Sequence, residues 1–298
     1  MKVFVTGASG WIGSAAVDEL LGAGHDVVGL ARSDASAASL EAKGVTVRRG
    51  DLDDLDALRR GAADADAVVH LANKHDFANP AESNRAERAA VETLADELVG
   101  SNRPFLLASG LLRPDHGGLA LETDRNPFVG PDSMRGGSEN LALDYVERGV
   151  RTVAIRFAPT VHGIGDHGFV AVLVAAARRT GVSGYLGDGS SAWGAVHRSD
   201  AARLVRLGLE QAPAGARLHA VAEERILSHD IADAIGRSLE LPVAAIEPEA
   251  AIEHFGFIGR FFGTEMTASS AATRAAYDWT PTGPTLVEDI LGGAYGSR

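Results

Sequence analysis

The first thirteen residues constrain the fold more than any other stretch. Val3–Thr6 is a short apolar, β-rich run, Gly7-Ala-Ser-Gly10-Trp-Ile-Gly13 follows directly, and Ile12–Leu21 carries helical apolar spacing. Strand, glycine-rich turn and helix in that order form the first βα unit of a dinucleotide-binding sheet. Gly7 is expected to make the tight turn, Gly10 to let backbone approach a pyrophosphate, and Gly13 to let helix and strand pack closely. The phosphates then sit at the helix N-terminus, where unpaired N–H groups and the dipole favour anions. Ser9, Trp11 and Ile12 join the glycines as candidate cofactor contacts.

The alternation continues. Short apolar runs at Asp26–Leu30, Val45–Val47, Ala67–Leu71, Phe105–Ala108 and Thr152–Phe157 are separated by helical patterns at Ser36–Ala42, Leu55–Arg60, Ala86–Val99 and Ser138–Arg148. Continuous apolar strands separated by helices predict an α/β fold of Rossmann type, a doubly wound parallel sheet buried on both faces. After Phe157 the rhythm breaks. Two glycine-rich loops (Ala158–Gly168 and Gly184–Trp193) are expected, with helices at Phe169–Arg179, Asp200–Leu209, Ile226–Leu239 and Leu286–Leu291 and a strand at Arg217–Val221. Asp200 reads as an N-cap. The expected division is a dinucleotide-binding core over 1–157 and a mainly substrate-binding lobe over 158–298, with segments returning to the core.

Composition narrows the partners. The 298 residues are 45% hydrophobic and 23% charged, an ordinary globular balance. The lack of cysteine excludes disulfides, cysteine nucleophiles and thiolate metal sites. A formal charge of −12 disfavours nucleic acid or an anionic membrane as partner. The opening run turns to glycines too soon for a signal peptide or a membrane span. A cytoplasmic monomer or homodimer acting on a small molecule is the expectation.

The second strand bears on the choice of cofactor. An NAD site places a carboxylate at the end of that strand for the ribose 2′-hydroxyl. Here Ala31 stands in that place and Arg32 follows. A guanidinium there can grip a 2′-phosphate, so NADP is favoured over NAD. The competing reading makes Arg32 a solvated surface charge and gives the ribose to Asp34.

Further motifs extend this reading over nearly the whole chain. They are Thr6–Gly13, Gly50-Asp51-Leu52, Val68-Val-His-Leu71-Ala72 with Asn73 after it, Ala108-Ser109-Gly110, Arg156-Phe-Ala-Pro159-Thr-Val-His162-Gly163, and Gly187-Asp-Gly189 followed by Val196-His197-Arg-Ser-Asp200-Ala201. Together they resemble the extended, or atypical, short-chain dehydrogenase/reductase superfamily, of the NAD-dependent epimerase/dehydratase type. The resemblance implies that Asp51, with Leu52, faces the adenine amino group. It also implies that Leu71, Ala72 and Asn73 line the nicotinamide side, that Ser109 is the catalytic serine, and that Pro159 lies beside the carboxamide, with His162 replacing a tyrosine.

One part of that pattern is missing. The superfamily's catalytic pair is Tyr-x-x-x-Lys, yet the three lysines are Lys2, Lys43 and Lys74, and none follows a tyrosine by four residues. Aligning on Glu139 puts Pro131 and Arg135 at the two positions, whereas aligning on distance from Ser109 puts Met134 and Ser138 there. The first keeps a cation, Arg135, for the ribose hydroxyls. With no tyrosine, the proton donor is sought among neighbours of Ser109, first His75 just after the fourth strand and then His162. His162, Asp166 and His167 share a glycine-rich loop, but loop histidines are more often ordinary polar residues and no HExxH motif occurs, so no metal is expected.

The cluster Phe255–Phe262 reads equally as a wall over an apolar substrate or as core, as do Trp193 and Tyr185. The leading reading is an NADP(H)-dependent oxidoreductase acting on a small, fairly apolar carbonyl, alcohol or related C=N or C=C substrate. The alternatives are an epimerase, isomerase or dehydratase using nicotinamide transiently, and a redox-inactive NADP-binding sensor or scaffold.

Overall fold

A computed structural model describes residues 1–76, 78–111 and 117–296. The first half alternates as expected: β1 (Lys2–Thr6), α1 (Trp11–Gly22), β2 (Asp26–Ala31), α2 (Asp34–Glu41), β3 (Thr46–Arg49) and α3 (Leu55–Ala63). It continues with β4 (Ala67–His70), α4 (Pro80–Asp96), β5 (Pro104–Gly110), α5 (Ser138–Asp144) and β6 (Arg151–Phe157). Next come β7 (Thr160–His162), α6 (Phe169–Thr180), β8 (Ser183–Leu186), β9 (Ala192–His197), α7 (Arg198–Gln211) and β10 (Arg217–Ala220). The last elements are β11 (Glu223–Leu227), α8 (Ser228–Leu239), β12 (Val243–Ile246), α9 (Ala251–Phe255), α10 (Ala271–Tyr277) and α11 (Leu286–Leu291).

These elements make two compact units, each discontinuous in sequence. The first comprises Met1–Ser109, Thr123–Arg156 and Ala202–Leu218, and the second Gly110–Glu122, Phe157–Ala201 and His219–Arg298. A seven-stranded sheet runs β3-β2-β1-β4-β5-β6-β10. Its pairs β3–β2, β2–β1, β1–β4 and β4–β5 are parallel. The order reverses direction between β1 and β4, the switch point at whose carboxyl edge α/β sheets take ligands.

Burial explains the strands. Val3, Phe4 and Val5 are wholly buried, as are Ala67, Val68 and Val69, which requires cover on both faces. On α1 the stripe Gly13, Ala16, Val17 and Leu20 faces inward at helical spacing. On α4 the buried stripe is Ala86, Ala90, Val91, Leu94 and Ala95, and it also contains a carboxylate, Glu87. That helix begins six residues before the expected Ala86, because Pro80 occupies its first turn, where the missing N–H costs nothing. Ser33 and Asp54 cap α2 and α3, accepting from the backbone N–H groups of Ser36 and Ala57.

The second unit holds a three-stranded sheet, β11-β9-β7, and a two-stranded one, β12-β8. The expected loops therefore contain strands: β7 lies within Ala158–Gly168, and β8 with the start of β9 lies within the Gly184–Trp193 region. Ile226 and Leu227 belong to β11, not to the following helix. The Asp200 expectation is also corrected. It lies in the first turn of α7, and its carboxylate accepts from the backbone N–H groups of Thr282 and Gly283 at 2.8–3.1 Å. Trp193, Phe255, Ile258 and Phe262 form the core here, while Phe257 stays partly exposed. Among the described residues no helix is long and apolar enough to cross a membrane.

Candidate functional site

At the end of β1 the chain turns through Gly7 at φ +67°, and the Gly10 N–H donates to the Gly7 carbonyl at 2.9 Å. The three glycines differ in what forbids a side chain. A β-carbon at Gly7 would lie 2.7 Å from the Ala72 nitrogen, and one at Gly13 would lie 2.0 Å from the Gly7 oxygen. Both are close backbone packing. A β-carbon at Gly10 would meet only atoms of Gly7 within 4 Å, so this position faces open space in front of α1. The helix start has no side-chain cap and no acidic residue in its first turn. A helix dipole and a bare glycine surface fit the diphosphate of a dinucleotide. Ser9 is exposed at this turn, and Trp11 and Ile12 are half-buried.

The neighbouring edge, at the ends of β2 and β3, carries exposed cations. Ala31 is buried and pairs in register with Arg49. Arg32 is exposed. Arg49 donates to the Ser33 carbonyl at 2.8 Å and to the Asp34 carboxylate at 2.7 Å. Sequence reasoning missed Arg49. The parallel register was the available signal, since it sets the last residue of β3 beside the last residue of β2. Asp51 closes a local turn by accepting from the N–H groups of Asp53 and Asp54, and Leu52 packs into the first unit's core.

On the other side of β1 the residues after β4 are cross-braced. Asn73 Nδ2 donates to Glu87 at 3.0 Å, and Arg135 Nη2 donates to the second Glu87 oxygen at 2.6 Å. Asn73 Oδ1 accepts the His75 backbone N–H at 2.8 Å. His70 is wholly buried, with Nδ1 2.7 Å from the Thr6 hydroxyl and Nε2 3.9 Å from Glu87. Burial lowers its pKa, with Arg135 acting in the same direction and Glu87 opposing. Of the sequence candidates, this arrangement brings Asn73, His75 and Arg135 together; His75 itself is exposed. Glu87 was not among them. Its signal was a carboxylate set on an apolar helical stripe.

Ser109, at the end of β5, is buried and hydrogen-bonded to Glu139. Glu139 also takes Arg156 Nη2 at 2.6 Å, and that same nitrogen donates to the Asp124 carbonyl at 2.8 Å. Burial works to raise the Glu139 pKa. The hydrogen bonds and charge of Arg156, with help from Ser109 and Asn126, outweigh burial and hold it below the usual range.

In the second unit His162 is wholly buried on β7, its Nδ1 2.5 Å from Asp289. Burial lowers its pKa and His197 adds to this, against Asp289 and Asp166. Such a histidine is enclosed by protein, unlike the loop residue expected. Pro159 is half-buried between β6 and β7. Among the described residues no group of three or more His, Asp or Glu is arranged to hold a metal ion.

Comparison with known proteins agrees with this architecture. A protein of Schizosaccharomyces pombe described only as uncharacterised is 43% identical over 99% of this chain and 100% of its own length. A 4-hydroxy-2-methyl-3-oxo-4-farnesyl-3,4-dihydroquinoline-1-oxide ketoreductase of Stigmatella aurantiaca is 29% identical over 60% of this chain and 55% of its own. A dTDP-glucose 4,6-dehydratase from Streptomyces venezuelae, solved with NAD bound, superposes with a TM-score of 0.77 at 20% identity, covering 99% of this chain and 96% of that one. The family model for the NAD dependent epimerase/dehydratase family matches residues 3–221. With a bare glycine turn at the switch point of a doubly wound sheet, and a family match across most of its length, the chain belongs to the NAD dependent epimerase/dehydratase family.

Proposed function

We propose that this protein is an NADP(H)-dependent oxidoreductase of the short-chain dehydrogenase/reductase type, acting on a small, fairly apolar carbonyl or alcohol. The observation that carries the cofactor reading is the β2–β3 edge. No carboxylate stands at Ala31, Arg32 is exposed beside it, and Arg49 arrives in register. Asp34, the competing ribose ligand, is bonded to Arg49. Two guanidinium groups suit a 2′-phosphate and give nothing to a free 2′-hydroxyl that a carboxylate would. The ketoreductase relative supports net redox chemistry.

The nicotinamide, when bound, supplies or accepts hydride. The chain's own part is orientation and proton handling. In this reading Gly7, Ser9, Gly10, Trp11, Ile12 and Gly13 hold the diphosphate. Asp51 and Leu52 flank the adenine, and Leu71, Ala72, Asn73 and Pro159 border the nicotinamide half. Arg135 reaches the ribose hydroxyls. Ser109, anchored by Glu139, fixes the substrate oxygen, and the proton comes from exposed His75 in place of the missing tyrosine. Residues 158–298 mainly bind the substrate.

Titration of both cofactors tests the reading. NADPH is expected to bind about ten- to hundredfold more tightly than NADH, the value of one charge-assisted contact of about 1.5–3 kcal/mol. Equal affinities overturn the NADP assignment. A turnover screen with apolar aldehydes, ketones and the matching alcohols, read at the nicotinamide absorbance, tests the reaction class. With any substrate found, Ser109→Ala and His75→Ala should lower kcat by about 10²–10⁴. The family's own description favours a second reading, an epimerase or dehydratase that reuses its nicotinamide. That enzyme would convert substrate with no net change in nicotinamide absorbance.

A further inference from the structure

Among the buried charges of the first unit, Glu87 stands where an apolar residue belongs. It lies on the inward stripe of α4, one turn before Ala90 and Val91, and its side chain is 1% exposed. Removing a carboxylate from water is costly unless its oxygens are paired, and a stripe like this is cheaper to build from alanine. Both oxygens are engaged here, one by Arg135 and one by Asn73. A buried ion pair of this kind adds little net stability over apolar packing.

The loop that delivers Arg135 is itself costly. Arg135 has φ +54°, and Gly136 and Gly137 follow at +61° and +64°. The two glycines make that path possible, since a β-carbon on Gly136 would lie 2.6 Å from the Asn84 carbonyl oxygen. Arg135 has no such freedom, and the left-handed region is unfavourable for an L-residue. Three contacts from α4 hold the loop there. Asn84 Oδ1 accepts the Arg135 N–H at 2.9 Å, Arg88 donates to the Gly136 carbonyl at 2.8 Å, and Glu87 takes the guanidinium. The grip leaves part of the guanidinium open. The Arg135 side chain is 30% exposed, although its Nε is buried and has no hydrogen-bond partner among the described residues.

The fold says what that open edge faces. A diphosphate on the α1 N-terminus divides the dinucleotide at the β1–β4 switch point. The half carrying the 2′-position goes toward β2 and β3, and the other half toward β4 and β5. Asn73 follows β4, and Arg135 shares its carboxylate. His75, also in the left-handed region at φ +50°, hangs from Asn73 through its backbone.

We propose that Glu87 is the positioning residue of this site: its carboxylate fixes the Arg135 guanidinium toward the nicotinamide-side ribose hydroxyls and, through Asn73, sets the path of the chain at His75. The inference rests on the nucleotide reading above and adds a residue to it. Glu87 touches no ligand; it acts through Arg135 and Asn73.

The test separates the two halves of the cofactor. NADPH carries the nicotinamide ribose, and 2′,5′-ADP lacks it. In Glu87→Gln, NADPH affinity should fall about tenfold while 2′,5′-ADP affinity stays within about twofold of wild type. Arg135→Gln should show the same split, and the double variant should lose little more than either single one, as residues acting through one contact do. Binding of 2′,5′-ADP also reports that the variant is folded. Should Glu87→Gln not fold, Glu87→Met with Arg135→Met leaves no unpaired buried charge and carries the same test. If wild type prefers NADH, then NADH and ADP take the places of the two ligands. Equal losses for both ligands, no loss for either, or additive single effects overturn the proposal. A wild-type chain that binds neither full cofactor overturns the nucleotide reading first.

Discussion

The two edges flanking β1 are built in opposite ways. At the β2–β3 edge Arg32 and Arg49 stand in solvent, and the Asp34 carboxyl that Arg49 meets is fully exposed. At the β4–β5 edge the charges are inside: Glu87, Glu139 and Arg156 are buried, each held by partners distant in sequence. Exposed pairs contribute little and can be exchanged one at a time. Buried ones are interdependent, since removing one partner strands the other. The first edge is therefore suited to selecting a ligand by charge, and the second to holding a fixed geometry.

The largest expected effect sets the two edges directly against each other. Arg156→Met strands the Glu139 carboxylate and should cost about 3–5 kcal/mol of unfolding free energy, whereas Arg49→Met should cost no more than about 1 kcal/mol. Urea denaturation of both variants decides it, and similar midpoints would erase the contrast. Between the edges, Gly10→Val should abolish NADPH binding with a normal thermal transition, because its side chain fills open space and displaces no packed atom beyond the Gly7 carbonyl. Retained binding would put the phosphates elsewhere.

Arg32→Ala sharpens the comparison from the exposed side. NADPH affinity should fall about ten- to hundredfold with NADH affinity unchanged, and stability should stay within about 0.5 kcal/mol. A parallel loss for NADH would mean that Arg32 reads something common to both cofactors.

The smallest effect concerns protons. His70 and His162 are buried with pKa values lowered from the ordinary 6.5, mainly by burial. Below pH 6.5 the unfolded chain binds protons that the folded chain resists, so stability falls with pH down to the folded values. The slope is at most about 1.4 kcal/mol per pH unit for each histidine. Glu223, raised by burial above 4.5, acts in the opposite sense over the pH range above that value, offsetting part of the loss. Denaturation midpoints from pH 7 to 5 should therefore decline, and a flat profile would contradict the buried histidines.

The parts legible in the sequence were those governed by one local rule. The β1–Gly7–α1 unit and the strands of the first unit follow from apolar continuity, and α11 follows from its own spacing after Pro281 and Pro284. The parts that were not legible depend on pairing between distant residues. Glu87 sits on a stripe visible in the sequence, but its partners Asn73 and Arg135 come from outside α4, so what its carboxylate holds was not legible. Arg49 needed the β2–β3 register. The second unit's short strands, such as β7 and β8, are stabilised by partners far along the chain, which a window of neighbouring residues does not contain. Asp200 resembled an N-cap by position, but its carboxylate is taken by the backbone at Thr282 and Gly283.

The discontinuity of the two units has a consequence for biosynthesis. The first unit waits for Ala202–Leu218, which supplies most of α7 and the start of β10 and emerges only after Phe157–Ala201 has been made. The second waits longer, because Leu286, Ile290 and Tyr295 belong to its core. A nascent chain emerging at about 5–20 residues per second thus carries an unfinished sheet edge for several seconds before β10 arrives. Exposed strand edges invite intermolecular pairing during that interval. Each unit is made of three segments that alternate along the chain, so neither a single cleavage nor a circular permutation makes either unit one continuous stretch of polypeptide.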